Sequence, residues 1–397
     1  MDQNLVRETQ KRTKTIPVSS GRSDKVDRVS FDELVFVPAQ LNKKPVDYYK
    51  EEISTETIIG KNSKKSIKLR TPIIFGAMSF GALSKEAKIT LAKASNIAET
   101  IANTGEGGLL PEERDFSKYL IIQYSTGRFG ISEEVLKKAD AIEIKIGQGA
   151  KGGMGGLLPA DKVTEEIAKI RKVEMGKDIH SPPYHKDIAD IKELGKRVEY
   201  LREITGGVPI IIKIAAGDVE NDVKLAVQAN PDIIAIDGME GGTGASPTSV
   251  LNNMGIPTLA ALSKAREVLD KMRSKQELWI GGGLNGPADF TKALILGADA
   301  VFCGTVLLIA MGCTCCGLCY LGKCPGGIAT QDPELRKNIN IEQAAQNIAN
   351  FVKNSTEEMK MIAGACGEND IHKLDKGHLR ALSSEISKIT KVKFISE

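Results

Sequence analysis

Residues 208–246 read VPIIIKIAAGDVENDVKLAVQANPDIIAIDGMEGGTGAS. The segment opens on a β-branched run, Val208 to Ile214, and a second run follows at Ile233 to Ile236. Between them, Val219 to Gln228 carries apolar residues at helical spacing. Short apolar runs bounded by glycine and polar residues indicate buried strands, and a helix between two of them makes the strands parallel neighbours. The second run leads into Asp237-Gly-Met-Glu-Gly-Gly-Thr-Gly-Ala-Ser246, a glycine-rich polar stretch placed directly after a strand.

The same unit repeats in both directions. Upstream, Pro72 to Phe75 runs into Gly76-Ala-Met-Ser-Phe-Gly-Ala-Leu-Ser84, and Ser84 suits the N-cap of a helix starting at Lys85. Asn96 to Thr104 leads into Thr104-Gly-Glu-Gly-Gly108, Tyr119 to Tyr124 into Ser125-Thr-Gly-Arg-Phe-Gly130, and Ala141 to Ile146 into the glycine-rich stretch from Gly147 to Gly156. Downstream, Leu278 to Ile280 ends in Gly281-Gly-Gly283, Pro287 to Leu296 is helical, and Ala300 to Cys303 ends in Gly304-Thr305. About eight strand-helix units predict an α/β fold, a (β/α)8 TIM barrel over residues 69–335 with its functional residues at the C-terminal face. Residues 1–68 are polar, with short apolar anchors such as Leu34 to Val37, and read as an N-terminal arm that wraps the barrel or a partner, or as a loosely ordered terminus. Residues 336–397 read as a C-terminal helical extension, amphipathic over Ile341 to Val352.

A chain of 397 residues with 41% hydrophobic and 5% aromatic residues has ordinary globular composition. A net charge of +3 argues against nucleic acid or a membrane surface as partner. The apolar run from Ala298 to Gly312 is too short to span a bilayer and reads as a barrel strand leading into a cysteine loop. No charged-then-apolar leader opens the chain, so the expected location is the cytoplasm, where clustered thiols stay reduced.

That loop, residues 312–331, holds five of the seven cysteines. Cys313, Cys316, Cys319 and Cys324 form C-x2-C-x2-C-x4-C-P, near the ferredoxin spacing that gathers thiolates on a [4Fe-4S] cubane. Cys313, Cys319 and Cys324 alone form C-x5-C-x4-C, which suits three ligands of a [3Fe-4S] cluster, with Cys315 and Cys316 as bystanders. Zinc, disulfide and free-thiol readings fit the spacing less well, because separated C-x2-C pairs and nearby histidines are lacking.

Bare backbone amides after the last two strands, at Gly281 to Gly283 and at Gly304-Thr305, are where such barrels hold a phosphate. With no G-x-G-x-x-G opening an early helix, FMN is the expected phosphate-bearing cofactor rather than a dinucleotide. Lys213 lies at the end of a buried strand, where an ammonium either meets the negative charge of a reduced flavin or reaches solvent.

Several segments resemble the FMN-binding synthase domain of the glutamate synthase large subunit: Gly76-Ala-Met-Ser, Gly81-Ala-Leu-Ser, Thr104-Gly-Glu-Gly-Gly, Ser125-Thr-Gly-Arg-Phe-Gly, Gly149-Ala-Lys, Asp161-Lys-Val, Ser181-Pro-Pro, Gly241-Gly-Thr-Gly-Ala-Ser-Pro and Cys324 through Lys337. The resemblance covers about residues 70 to 340 in order. It implies an FMN barrel with a [3Fe-4S] cluster on Cys313, Cys319 and Cys324. Electrons would pass from cluster to FMN and leave as a hydride to 2-iminoglutarate, formed from ammonia and 2-oxoglutarate. It also implies that Lys151 and Arg171 grip the oxo-acid carboxylates and that Glu106 lies beside the reacting centre. Together with Lys213 these are the candidate catalytic residues. The candidate flavin contacts at the strand ends are Ala77, Met78, Ser79, Asn103, Gln123, Lys145, Lys213, Gly242, Thr243, Gly282, Gly283, Gly304 and Thr305.

The chain also departs from the family pattern. Leu157 replaces a glutamine of the 2-oxoglutarate site, Asp190 and Lys192 stand where a serine and a glutamate lie near the ammonia entry, and Cys315 and Cys316 are additions. No cysteine precedes Cys303 to serve as a glutaminase nucleophile, and no glycine-repeat β-helix follows the barrel. The expectation is a split enzyme, assembled as a homo- or hetero-oligomer, that takes ammonia from solution or from a separate glutaminase chain. Its electrons would come from ferredoxin or a flavoprotein subunit. Two alternatives share the barrel: an electron-transfer subunit, favoured by Leu157 and Lys192, and an N-methylglutamate synthase-like enzyme, disfavoured by the cysteine loop.

Overall fold

The computed structural model describes residues 10, 12–23 and 29–397. Eight short strands form one parallel sheet: β1 (Ile73–Phe75), β2 (Ile101–Asn103), β3 (Tyr119–Tyr124), β4 (Ala141–Lys145), β5 (Ile210–Ala215), β6 (Ile233–Asp237), β7 (Glu277–Gly281) and β8 (Ala300–Cys303). Their order around the sheet is β1-β8-β7-β6-β5-β4-β3-β2. The ladder from β8 to β1 pairs Phe302 with Ile74 and turns the sheet into a barrel. No ladder joins β1 to β2 among the described residues. That seam is bridged instead by the Thr100 hydroxyl, which donates to the Ile73 carbonyl at 2.6 Å.

Each strand is followed by a helix: α1 (Lys85–Ile97), α2 (Pro111–Phe116), α3 (Glu133–Leu136), α4 (Ile191–Ile204), α5 (Val219–Gln228), α6 (Thr258–Lys271), α7 (Pro287–Ile295) and α8 (Thr305–Met311). The expected cap Ser84 accepts from the Ala87 amide, and Asp218, not singled out from the sequence, accepts from the Asn221 amide. Strand alternation sorts the side chains. In β5, Ile210, Ile212 and Ile214 pack outward against the helices, whereas Ile211 packs in the barrel interior with Ile74, Ile121, Ala235, Trp279 and Phe302. Lys213 shares the inner face with Ile211, which aims it up the interior toward the C-terminal mouth.

Residues 1–9, 11 and 24–28 of the expected arm lie outside the described residues; described segments of it pair with the rest of the chain. Val18–Gly21 pairs antiparallel with Thr243–Pro247, part of the glycine-rich stretch after β6. Leu34–Phe36, an anchor expected from the sequence, pairs with Leu379–Ala381 of the C-terminal extension. A hairpin of Thr57–Ile59 and Ile67–Leu69 closes the bottom of the barrel, where Ile59, Ile67 and Leu69 join the interior cluster.

Two expected boundaries move. Asn96 and Ile97 end α1 rather than start a strand, because the strand begins only at Ile101. The Ala298–Gly312 run is not one strand leading into the cysteine loop. It is β8 plus α8, and α8 ends at Gly312, whose φ of 119° lets the chain leave the helix. The cysteine loop therefore follows the last helix. Beyond it, α9 (Ile341–Ala365) packs against α1, α7 and α8. No helix among the described residues is long and apolar enough to cross a membrane.

Candidate functional site

A cavity of about 310 Å³ opens at the C-terminal mouth and runs to the cysteine loop. Of the candidate flavin contacts, Ala77, Met78, Ser79, Gln123, Lys145, Lys213, Gly242, Thr243, Gly282, Gly283, Gly304 and Thr305 all line it, as do Glu106, Lys151 and Arg171. Asn103 does not. Its side-chain oxygen accepts from the Gly105 amide at 2.9 Å, and its carbonyl accepts from Lys88 at 3.2 Å. Lys88 is buried against Glu113 and also donates to the Met78 and Thr104 carbonyls, so it pins the ends of β1 and β2 together.

Glu106 is the centre of the polar groups. Lys145 Nζ lies 3.0 Å from its Oε2, and the Ser181 hydroxyl donates to its Oε1. Burial pushes its pKa up, but Lys145, Ser181 and Arg171 together hold it below the usual carboxylate value, so Glu106 is an anion here. Arg171 lies under the same loop and donates to the Phe80 and Glu106 carbonyls at 2.6 and 3.2 Å, while its Nε is buried without a partner. Burial lowers its pKa to about 10, against the pull of Glu106. Gly107, at φ 136°, leaves room for this guanidinium, since a Cβ there would lie 2.8 Å from Arg171 Nε.

Among the described residues, the Lys151 ammonium makes only a long contact, 3.4 Å, to the Ala245 carbonyl. Burial lowers its pKa to about 8, Lys145 pushes the same way and Glu106 opposes. Lys213 is buried rather than solvated, 3.5 Å from Asp237 Oδ2 and 4.8 Å from the Phe302 ring centroid. Burial works against its charge, but Asp237 and Glu143 outweigh that and raise its pKa. Gln123 is oriented by donating to Glu143 at 2.5 Å. Among all lining residues, six cationic side chains (Arg22, Lys145, Lys151, Lys162, Arg171 and Lys213) face two carboxylates, Glu106 and Asp237. Such an excess of positive charge with low solvent access favours anionic ligands.

In the cysteine loop, Cys313, Cys315 and Cys319 line the far end of the cavity, Cys324 is buried outside its lining, and Cys316 is exposed. No two of the seven cysteines are joined in a disulfide. No three of the histidine, cysteine and acidic side chains among the described residues converge as a group that could hold a metal ion. Burial and neighbouring thiols push the Cys313 pKa up to about 11 and raise that of Cys319. The donor set is soft and crowded, the Cys315 amide donates to Cys313 Sγ at 3.4 Å, and the ammonium of Lys162 bonds the Cys319 carbonyl at 2.5 Å. Several thiols on one loop, with an amide aimed at sulfur and a cation nearby, make a donor set that suits a polynuclear cluster.

Sequence reasoning missed Arg22, Ser181 as the partner of Glu106, and Lys162 beneath the cysteines. Ser181 and Lys162 lay within motifs already singled out, Ser181-Pro-Pro and Asp161-Lys-Val, so the signal was present without the role. The departures from the family pattern divide. Leu157 lines the cavity and is 44% exposed, whereas Asp190 caps α4 and Lys192 is exposed on α4, both outside the cavity lining.

The family model for the conserved region in glutamate synthase matches residues 5–369. An archaeal-type glutamate synthase [NADPH] of Thermotoga neapolitana is 40% identical over 377 residues, 89% of this chain and 74% of that protein. A glutamate synthase large subunit-like protein of Rhizobium meliloti is 38% identical over 91% of this chain and 86% of its own length. A ferredoxin-dependent glutamate synthase of Pyropia yezoensis is 36% identical over 79% of this chain but only 22% of its own length. Among solved structures, a flavocytochrome b2 variant superposes with a TM-score of 0.59 at 16% identity, covering 93% of this chain and 82% of that one. A mandelate oxidase variant gives 0.54 at 14% identity over 86% of both chains. These distant structural likenesses bear on the barrel fold alone. The family match over nearly the whole chain, with relatives near 40% identity, carries the assignment: this chain belongs to the glutamate synthase family and is an oxidoreductase of the glutamate synthase type.

Proposed function

We propose that this chain binds FMN across the barrel mouth and an iron–sulfur cluster on the cysteine loop, and that it reductively aminates 2-oxoglutarate or a related oxo-acid to the amino acid. The observation that carries this reading is a cavity in which six cations face two carboxylates and whose far end is lined by thiols. When bound, the cluster would pass electrons to the flavin, and the flavin would supply the hydride.

The rest falls to the protein. Lys151, short of partners, and Arg171, with one unpartnered nitrogen, are suited to the two carboxylates of the oxo-acid. Ammonia condenses with the 2-oxo carbon and water leaves; the imine then takes a hydride at carbon and a proton at nitrogen. Glu106, kept anionic between Lys145 and Ser181, is placed to steady the developing ammonium and to relay its proton. Lys213, fixed as a cation against Asp237, suits an electron-rich ring edge. The relatives' names fit an external electron donor, reduced nicotinamide through a partner or ferredoxin.

A single-turnover experiment tests the proposal. Protein reconstituted anaerobically and chemically reduced is mixed with 2-oxoglutarate and ammonium, and flavin reoxidation is followed together with glutamate. Reoxidation matched by glutamate is the expected result. The relay alternative, favoured by Leu157 where an amide would hold the oxo-acid, requires instead that no oxo-acid reoxidises the flavin while a redox partner does.

A further inference from the structure

We infer that the N-terminal arm is part of the flavin site and that Arg22 supplies the cation for the FMN phosphate; the inference rests on the flavin reading above. The phosphate end of the cavity is walled by Gly282, Gly283, Gly304 and Thr305, which offer backbone amides and a hydroxyl but no positive charge. A phosphate dianion moved out of water needs a cation or several charge-assisted hydrogen bonds.

Arg22 is the cationic side chain that reaches these loops. Its Nη1 donates to the Gly283 carbonyl at 3.4 Å and to Asn285 Oδ1 at 2.5 Å, and its Nε is buried without a partner. Burial lowers its pKa, the Cys303 and Cys315 thiols and then Asp289 and Glu240 oppose that, and neither carboxylate forms an ion pair with it. Glu240 is committed elsewhere, accepting from the Thr258 amide and hydroxyl. A guanidinium with two neutral acceptors and an idle Nε faces the cavity where the phosphate-binding amides lie. Its fork suits two phosphate oxygens.

The arm is also anchored well enough to hold Arg22 in place. Val18–Gly21 is a strand on Thr243–Pro247, and the Ser20 hydroxyl donates to the Gly244 carbonyl while accepting from the Tyr320 amide of the cysteine loop. The strap therefore ties the phosphate end of the cavity to the cysteine loop.

The test compares FMN with riboflavin, which lacks the phosphate, by fluorescence quenching on the full-length apoprotein. Arg22→Ala is expected to weaken FMN by about 10- to 100-fold while riboflavin affinity stays within about twofold, with Arg22→Lys in between. An unchanged ratio of FMN to riboflavin affinity in Arg22→Ala overturns the inference. Equal weakening of both flavins overturns it as well, since the arm would then only close the cavity. Binding of neither flavin by the unaltered protein overturns the flavin reading instead.

Discussion

The two ends of the barrel solve opposite problems. At the bottom, the hairpin sends Ile59, Ile67 and Leu69 into the interior, and Asp232 meets Arg202 and the Ile210 amide while Asp299 meets Lys61 and the Leu278 amide; Glu277, which accepts from the Lys61 amide through one oxygen and keeps the other buried without a partner, is the exception. At the top, the cations outnumber the carboxylates, and Lys151, Arg171 and Arg22 keep hydrogen-bonding capacity in reserve. An end that satisfies itself contributes stability. An end left with charge in excess contributes binding, because desolvated cations gain most from an anion that arrives later.

Substitutions can break this contrast, and the largest effect is expected in the cysteine loop. Cys319→Ser should abolish bound iron and the cluster's share of the visible absorption after anaerobic reconstitution, leaving that of the flavin, whereas Cys316→Ser, at an exposed thiol outside the cavity, should leave iron per chain nearly unchanged; iron analysis with paramagnetic resonance checks both. At the bottom, Ile59→Ala should cost about 2–5 kcal/mol of stability in denaturant titration with oxo-acid affinity intact. If Ile59→Ala instead weakened ligand binding, the separation of the two ends would fail.

At the top, Lys151→Met should weaken 2-oxoglutarate by about 10- to 100-fold in calorimetry, with little change in melting temperature. The same lysine sets a pH dependence. With its pKa near 8 in the free protein, it is charged below that pH and loses its proton above it. Affinity for the dicarboxylate should therefore be level below pH 8 and fall by up to about tenfold per unit above it, a slope that Lys151→Met removes.

A further effect, on stability and not on binding, belongs to Glu277. Burial first, and Asp299 second among the groups that oppose its charge, push its carboxyl up to about 7. The folded state thus holds a proton that the unfolded state releases between its ordinary value and 7. Stability should fall as pH rises through that window, by up to about 3 kcal/mol, and Glu277→Gln should flatten the slope.

Much of the cavity was legible from single strands. Because every barrel strand ends at the same mouth, a residue at the C-terminal end of any of them is brought to one place once the barrel is granted, and Ala77, Gln123, Lys145, Lys213 and Gly282 followed from that rule. Asn103 obeyed the rule yet faced a backbone amide, because a strand-end position does not say which way a short polar side chain turns. The cysteine loop was misplaced by one element, since an apolar run of strand followed by helix has no polar break to mark the join.

Read alone, the amino-acid sequence determined the parallel barrel, its open glycine-rich mouth and the soft-ligand loop, because strand periodicity, turn chemistry and thiol spacing are local properties. Only the tertiary structure decided that Arg22 reaches Gly283 across 261 positions, that Ser181 closes on Glu106 and that Lys162 lies under Cys319. Those contacts arise when the sheet curls and its loops meet at the mouth, and no spacing rule along the chain encodes which distant side chains that closure brings together.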